Sequence, residues 1–111
     1  MPWSATHRYA RISPRKVRLV TDLIRGRDAG EALDILKFTS KRASSFVRKV
    51  LQSAIANADE QEADVEQLFV SSARVDEGPT MKRFQPKDRG RAFTILKRTS
   101  HIKIEVDVSK T

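Results

Sequence analysis

The chain has 111 residues, no cysteine, 32% charged side chains and a formal net charge of +8. This length predicts a single domain over residues 1–111, and the excess of cations favours a polyanionic partner. The lack of cysteine excludes disulfides and thiolate metal sites, and no apolar run approaches the length of a membrane span. Because the N-terminus lacks the apolar core of a signal peptide, we expect a cytoplasmic protein.

Charge is distributed unevenly along the chain. Residues 1–27 carry seven cations against one carboxylate, and residues 79–103 carry eight against one. Residues 28–78, between them, carry six cations against ten carboxylates. The pattern predicts a polarised molecule, with one face toward a polyanion and another toward solvent.

The N-terminal quarter predicts an extended lead-in followed by a helix. Within residues 3–12, aromatic and apolar side chains are scattered among polar ones, which is a weak strand signal. Ser13 and Pro14 are a strong helix start, since serine can cap free backbone N–H groups and proline suits the first helical position. Gly26 is a helix stop, so we place the helix at residues 14–25. Its apolar stripe is Val17, Val20 and Ile24, with Leu23 beside them.

Two further helices are predicted before the chain becomes extended again. Asp28 and Glu31 resemble a capping box and precede a short helix over residues 29–37. After Thr39 and Ser40, a helical stripe predicts the longest helix, at the centre of the core. That stripe consists of Ala43, Val47, Val50, Leu51, Ala54 and Ala58, broadened by Phe46 and Ile55. The acidic residues that follow, from 59 to 66, predict a solvated connection.

Two strands are predicted in the C-terminal half, apart from the basic segment between them. Residues 68–75 have strand character, and we expect Phe69, Ala73 and Val75 to share one face. Residues 102–108 alternate apolar with polar side chains in the clearest two-residue period of the chain. The elements together predict an α+β fold, in which three helices pack on a small antiparallel β-sheet.

Residues 79–100 predict a long basic β-hairpin that protrudes from the fold as an arm. Runs at residues 80–84 and 93–99 flank a turn candidate at residues 86–90. Adjacent cations, such as Lys82 and Arg83, would place charge on both faces of a strand, so neither face suits an apolar core. A two-stranded ribbon alone is only marginally stable in water, so a partner must stabilise it. The positive charge of the ribbon indicates that this partner carries phosphate groups.

Patterns of catalytic or metal-binding residues are missing from the sequence. His7 and His101 stand far apart without ligand-type neighbours, and the four glycines match no phosphate-loop spacing. We therefore expect no enzyme activity, no cofactor, no metal site and no small-molecule substrate. Polyanion binding remains, through guanidinium forks, lysine charges and the hydroxyls of Thr99 and Ser100.

Two alternatives stay open at this point. An architectural DNA-binding module could lay the same basic ribbon into a groove of duplex DNA, although the tip offers no apolar wedge beyond Pro86. Phe84 and Phe93 could stack on bases, and we favour instead that they pack across the ribbon or against protein, because a ribbon needs some apolar cross-links.

Six motifs occur in a fixed order over the chain. They are ISPRKVRLV at 12–20, DLIRG at 22–26, SAIANA at 53–58, DEGP at 76–79 with Lys82 and Arg83, GRA at 90–92, and KRTSHI at 97–102. Together they closely resemble the bacterial-type large-subunit ribosomal protein twenty-two family, over essentially the whole chain.

The resemblance implies a structural constituent of the large ribosomal subunit that binds large-subunit (23S-type) ribosomal RNA and assists subunit assembly. It also implies a hairpin that lines the nascent-peptide exit tunnel, beside ribosomal protein four of the large subunit and near the macrolide site. The implied partners are large-subunit ribosomal RNA, neighbouring large-subunit ribosomal proteins and the nascent polypeptide. No membrane partner is implied.

Carried over by position, the resemblance and the cation pattern give two sets of expected contacts. The expected ribosomal RNA contacts are Arg8, Arg11, Arg15, Lys16, Arg18, Lys82, Arg83, Lys87, Arg89, Arg91, Lys97, Arg98, Thr99, Ser100 and His101. The expected tunnel-lining tip is Gln85, Pro86, Lys87, Asp88, Arg89, Gly90 and Arg91. Asp88 departs from the family pattern, which has a small residue there, and its carboxylate would need neutralising by Arg89, Arg91 or a metal ion.

Overall fold

The computed structural model describes residues 2–87 and 91–108. Their elements, in chain order, are β1 (Trp3–Ala10), α1 (Pro14–Ile24), α2 (Ala29–Phe38), α3 (Arg42–Glu60), a 3-10 turn (Val65–Gln67), β2 (Leu68–Glu77), β3 (Met81–Lys87), β4 (Arg91–Lys97) and β5 (Ser100–Val108). Three helices, an antiparallel sheet and a separate hairpin confirm the predicted α+β fold.

The main sheet is antiparallel and has three strands in the order β1-β5-β2. At its centre, Ile104 of β5 lies opposite Ala5 of β1 and opposite Ala73 of β2. Ile102, Ile104 and Val106 are fully buried in the core, whereas the residues that alternate with them are partly exposed. The two-residue period predicted for this strand is therefore confirmed, and its apolar face packs on the helices.

A bulge in β2 changes the face that was predicted for this strand. Val70 and Ser72 pair with neighbouring residues of β5, which leaves Ser71 as an extra residue. An extra residue reverses the in-and-out alternation beyond it. The buried residues of β2 are accordingly Leu68, Val70, Ala73 and Val75. Phe69 is only partly buried, so the prediction that it shares a face with Ala73 and Val75 is wrong.

The core lies between the sheet and the helices. The whole stripe predicted for α3 is buried, as Ala43, Val47, Val50, Leu51, Ala54 and Ala58. From α1, Val17, Val20 and Ile24 are each 0% exposed, and burial of each such side chain contributes about 1.5–3 kcal/mol. Thr21 completes the buried face of α1, whereas Leu23 is 44% exposed, so its predicted place beside the stripe is wrong.

The first two helices begin without the side-chain caps that were predicted. Within the described residues, Ser13 holds the N-cap position of α1 in an extended conformation, but its hydroxyl makes no capping bond. Asp28 makes none at α2, and Glu31 forms an ion pair of 2.9 Å with Arg27 instead. Pro14 does occupy the first turn of α1, where its fixed φ suits a helix.

The connection between α1 and α2 covers the outer edge of β2. Gly26 has a φ of +82°, in the left-handed region that favours glycine, and its N–H donates to the Val70 carbonyl at 2.9 Å. The Val70 N–H donates in turn to the Arg27 carbonyl at 2.8 Å. The loop therefore pairs with the edge strand much as another strand would.

Two arginines of α1 bind further carbonyls of the same strand. Arg18 donates from Nη2 to the Val75 carbonyl at 3.1 Å, and Arg25 donates from Nη2 to the Ala73 carbonyl at 2.7 Å. Hydrogen bonds from a charged donor are stronger than neutral ones. Both side chains thus attach α1 to the edge of the sheet.

β3 and β4 form their own two-stranded antiparallel sheet, which is the predicted arm. Their register continues to the pair Lys87 and Arg91. It places Phe84 opposite Thr94 and Phe93 opposite Gln85, so the predicted cross-strand pair of Phe84 and Phe93 is wrong. Pro86 lies inside β3, so the turn predicted over residues 86–90 begins too early. Residues 88–90, the remainder of that turn, lie outside the described residues. The longest dimension of the molecule is 66 Å, against 25 and 17 Å for the others, as a projecting arm requires.

The base of the arm is held by two hydrogen bonds, one between backbone groups and one from a side chain. The Gly78 N–H donates to the Thr99 carbonyl at 3.0 Å, and the Thr99 hydroxyl donates to the Pro79 carbonyl at 2.7 Å. A side chain at position 78 would collide with the Thr99 hydroxyl, so the close approach depends on glycine. The two strands of the arm therefore leave the globular part side by side.

Candidate nucleic-acid interface

A cleft lies at the base of the arm, where the end of β1 meets the starts of α1 and α3. Its volume is about 790 Å³. The residues that line it are Arg11, Ile12, Ser13, Lys16, Leu19, Lys41, Arg42, Ala43, Arg98 and Thr99. We refer to it below as the cationic cleft.

The cationic cleft has charge of one sign. Five of its lining residues are cations, all five are exposed, and none of the lining residues is a carboxylate. Within residues 2–87 and 91–108, no ion pair neutralises any of the five; pairs such as those of Arg25, Arg27 and Arg74 lie elsewhere. A cleft lined by one sign of charge focuses the field and concentrates ligands of the opposite sign. The cationic cleft is therefore suited to a ligand with several negative charges.

Two helices begin at the walls of this cleft and add to its field. Ser13 is the N-cap residue of α1 and Lys41 that of α3, and neither side chain makes a capping bond. The start of a helix carries the positive end of its dipole, even though the Lys16 and Ser44 N–H groups here already donate to the N-cap carbonyls of Ser13 and Lys41 at 3.1 and 3.0 Å. Both helix starts are thus arranged to favour an anion, as at many phosphate sites.

Apolar side chains share the cleft with the cations. Leu19 is 54% exposed there, and the buried residues Ile12 and Ala43 also line the cleft. A surface that combines cations with apolar side chains can contact both the phosphates and the bases of a nucleic acid. A simple inorganic anion would use only the first of these features.

The cleft unites predicted contacts that are far apart in sequence. Arg11, Lys16 and Arg98 all line it, and Arg98 enters from the end of the arm. Sequence reasoning missed Lys41 and Arg42, which lie on the opposite wall. The sequence did contain a signal for them. Two cations at the start of a helix are repelled by the positive end of the helix dipole, so their presence there indicates a role other than helix stability.

Two other predicted cations lie outside the cleft. Arg8 lines a smaller groove of about 280 Å³ between β1 and α3, together with Lys49. Arg15 is exposed on α1. These positions are open to solvent, and their contacts with RNA stay a prediction.

Four predicted contacts have partners within the fold. Arg18 binds the edge of β2, as described above, and Thr99 binds Pro79 at the base of the arm. Ser100 is 0% exposed, and its hydroxyl donates to the Ile12 carbonyl at 2.6 Å. His101 accepts at Nδ1 from the Tyr9 N–H at 3.1 Å. Because a fully buried hydroxyl cannot reach a ligand, we assign Ser100 to the fold rather than to the interface.

The predicted contacts of the arm lie on its two strands or beyond them. Lys82, Arg83, Gln85, Pro86 and Lys87 belong to β3, and Arg91 and Lys97 to β4. Asp88, Arg89 and Gly90 lie outside the described residues. The assignment of the arm to RNA and to a tunnel wall stays a prediction.

Among the residues that the structure describes, no three His, Asp or Glu side chains are grouped so that they could hold a metal ion. In the same residues, no helix combines the length and apolar character needed to cross a membrane.

The family comparison agrees with the resemblance drawn from the motifs. The model of the family described as ribosomal protein L22p/L17e matches residues 5–107, a span that runs from β1 through the arm to β5. This is a family of ribosomal proteins that bind ribosomal RNA and neighbouring ribosomal proteins, so it assigns the chain to the ribosome and to translation. The chain belongs to the ribosomal protein L22p/L17e family and is a structural protein of the large ribosomal subunit.

Proposed function

We propose that this chain binds large-subunit ribosomal RNA of the 23S type through the cationic cleft, and that its arm extends from there to line the nascent-peptide exit tunnel. Residues 1–111 act as one domain, and residues 79–100 form the arm. The protein assists subunit assembly by joining RNA segments. Its role is structural rather than catalytic, and the nascent polypeptide is a partner only at the tunnel wall.

The observation that carries the proposal is the set of five cations in one cleft without a carboxylate. Guanidinium groups of Arg11, Arg42 and Arg98 offer paired donors to phosphate oxygens, while Lys16 and Lys41 act as compact charges. Contacts to phosphate fix the position of a protein on RNA without reading sequence. The cleft therefore anchors the globular part.

Arg98 connects the cleft to the arm. It lines the cleft and directly follows Lys97, the last residue of β4. An RNA strand held in the cleft would thus meet the basic residues of the arm next. Since an isolated two-stranded ribbon is marginal in water, phosphates along both of its strands would stabilise it.

The proposal is tested by footprinting large-subunit ribosomal RNA with the wild-type protein and two variants. The cleft variant carries Lys16→Ala and Lys41→Ala, and the arm variant replaces residues 81–97 with a short Gly-Ser link, which leaves Arg98 in place. Lys37→Ala, which removes an exposed cation outside the cleft, is the matched control.

We expect each variant to lose its own set of protected nucleotides, while the control protects the same nucleotides as the wild type. Identical protection by wild type and both variants would argue against the proposed interface. A wild-type protein that shows no preference for ribosomal RNA over random duplex would argue against RNA recognition altogether.

A further inference from the structure

Tyr9 has an unusual backbone conformation at the end of β1. Its φ is +59°, in the left-handed region that side chains other than glycine rarely adopt. The pairing of β1 with β5 shifts between His7 and Ala10, so that Arg8 and Tyr9 together stand opposite the single residue His101. Strain of this kind costs about 1–3 kcal/mol and persists only where surrounding contacts impose it.

His101 supplies the contacts that hold this conformation. Its Nδ1 accepts a hydrogen bond from the Tyr9 N–H at 3.1 Å. The two rings also meet edge to face, with centroids 4.8 Å apart and an angle of 87° between their planes. Such aromatic pairs contribute about 0.5–1.5 kcal/mol beyond area burial. The histidine therefore fixes both the backbone and the ring of Tyr9.

The outcome of this arrangement is an exposed ring. Tyr9 is 59% exposed, whereas the next residue, Ala10, is 1% exposed. Single exposed apolar residues need no explanation by themselves. Here, however, the fold accepts backbone strain to present the ring, and bulges often re-aim side chains at functional positions.

The surroundings of Tyr9 identify a partner of negative charge. Arg8 and Arg11 flank it and are exposed, and Arg11 lines the cationic cleft two residues further on. The carboxylate of Asp76, which lies opposite His101 on the far side of β5, forms an ion pair with Arg74 at 3.2 Å. An aromatic face among cations is the arrangement with which proteins stack unpaired bases while binding the adjoining phosphates.

We propose that Tyr9 stacks on an unpaired base of the RNA whose phosphates occupy the cationic cleft. This inference rests on the proposed function, since it names the part of the RNA that the site recognises. Tyr9 is the contact residue, and His101 is a positioning residue that acts through it.

The chain offers a direct probe, because Tyr9 is its only tyrosine. Full-length protein labelled with 3-fluorotyrosine gives one fluorine NMR signal, which reports on this ring alone. We expect the signal to shift when a transcript of large-subunit ribosomal RNA is added, through the ring current of the stacked base. A fully paired RNA duplex of the same length has no unpaired base and should leave the signal unshifted.

Affinity measurements use variants that separate stacking from folding. Tyr9→Asn tolerates a positive φ and so keeps the fold, but it cannot stack; we expect about tenfold weaker binding of the transcript. Tyr9→Phe keeps the ring, and its affinity should stay within about twofold of wild type. Phe38→Leu is the matched control, because Phe38 is an 80% exposed aromatic at the end of α2, outside the lining of the cleft.

The possible failures are distinguishable. If Tyr9→Asn binds the transcript as tightly as wild type, or if the duplex shifts the fluorine signal equally, the stacking inference is overturned while the proposed function stands. If the wild-type protein shows no preference for the transcript over the duplex, the proposed function fails and the inference fails with it. Thermal unfolding of each variant confirms that affinity is compared between folded proteins.

Discussion

The hydroxyl of Ser100 donates a 2.6 Å hydrogen bond to the carbonyl of Ile12, although the two residues are 88 positions apart in sequence. Ile12 lines the cationic cleft from the β1 side, and Ser100 begins β5 where the arm ends. The bond therefore joins the two segments that form the cleft. Both residues are buried, so water cannot replace a lost partner easily.

Ser100→Ala should destabilise the fold. The substitution leaves the buried Ile12 carbonyl without its donor, which costs about 1–3 kcal/mol in the free energy of unfolding. Chemical denaturation measures the change. Ser71→Ala is the control, because the Ser71 hydroxyl donates to the Glu105 carbonyl at an exposed position and its loss should cost less than about 0.5 kcal/mol. Unchanged stability together with weaker RNA binding would instead support Ser100 as an RNA contact.

Arg18→Ala should reduce mainly the stability of the fold, whereas Lys16→Ala should reduce mainly the affinity for RNA. Arg18 attaches α1 to the Val75 carbonyl, so its loss should lower the free energy of unfolding by about 1 kcal/mol with little change in RNA affinity. Lys16 lines the cationic cleft without such a bond, so its loss should weaken RNA binding and leave stability nearly unchanged. Denaturation and filter binding of both variants check the two statements. If Arg18→Ala loses as much affinity as Lys16→Ala and no stability, its role is that of an RNA contact.

Lys41→Ala should change the salt dependence of RNA binding. Each phosphate neutralised by a cation adds about 0.7–0.9 to the magnitude of the slope of log K against log salt concentration. Removing Lys41 should therefore reduce the magnitude of the slope by about that amount. Titrations at several salt concentrations measure it, and Lys37→Ala, outside the cleft, should keep the wild-type slope. Equal slopes for wild type and Lys41→Ala would place this lysine away from the RNA.

Substitutions at Gly26 and Gly30 form a matched pair. Neither glycine has an atom within 4 Å of where a Cβ would stand, so an added methyl meets open space at both positions. Gly26 has a φ of +82°, and alanine there should cost about 1–2 kcal/mol of stability. Gly30 lies in α2, and alanine there should add about 0.5 kcal/mol by restricting the unfolded chain. Thermal or chemical unfolding measures both, and effects of the same sign would contradict this account.

The sequence predicts those parts of the fold in which one periodic face is buried. The stripe from Ala43 to Ala58 and the alternation in β5 follow directly from helix and strand periods, and both are observed. The predicted face of Phe69 was wrong because the bulge at Ser71 inserts a residue into β2. No residue type at that point of the sequence indicates a bulge. The prediction that Ser13 caps α1 was wrong, because a serine at the N-cap position need not turn its hydroxyl toward the helix.

The candidate site was only partly predictable for a different reason. Its cations were visible as basic runs, but their grouping depends on how α1, α3 and the base of the arm pack together. Lys16 and Arg98 become neighbours across one cleft only after folding, and the role of Lys41 appears only then. The same holds for Ser100 and Arg18, whose partners lie far away in sequence.

The hydrogen bonds along the edge of β2 also affect how free copies of the protein can associate with one another. An edge strand with free N–H and carbonyl groups is a template on which another chain can add and start an aggregate. Here the Val70 groups are taken by Gly26 and Arg27, and further along two arginines take the carbonyls of Ala73 and Val75. These groups of the β2 edge are therefore not available to pair with a second copy of the chain.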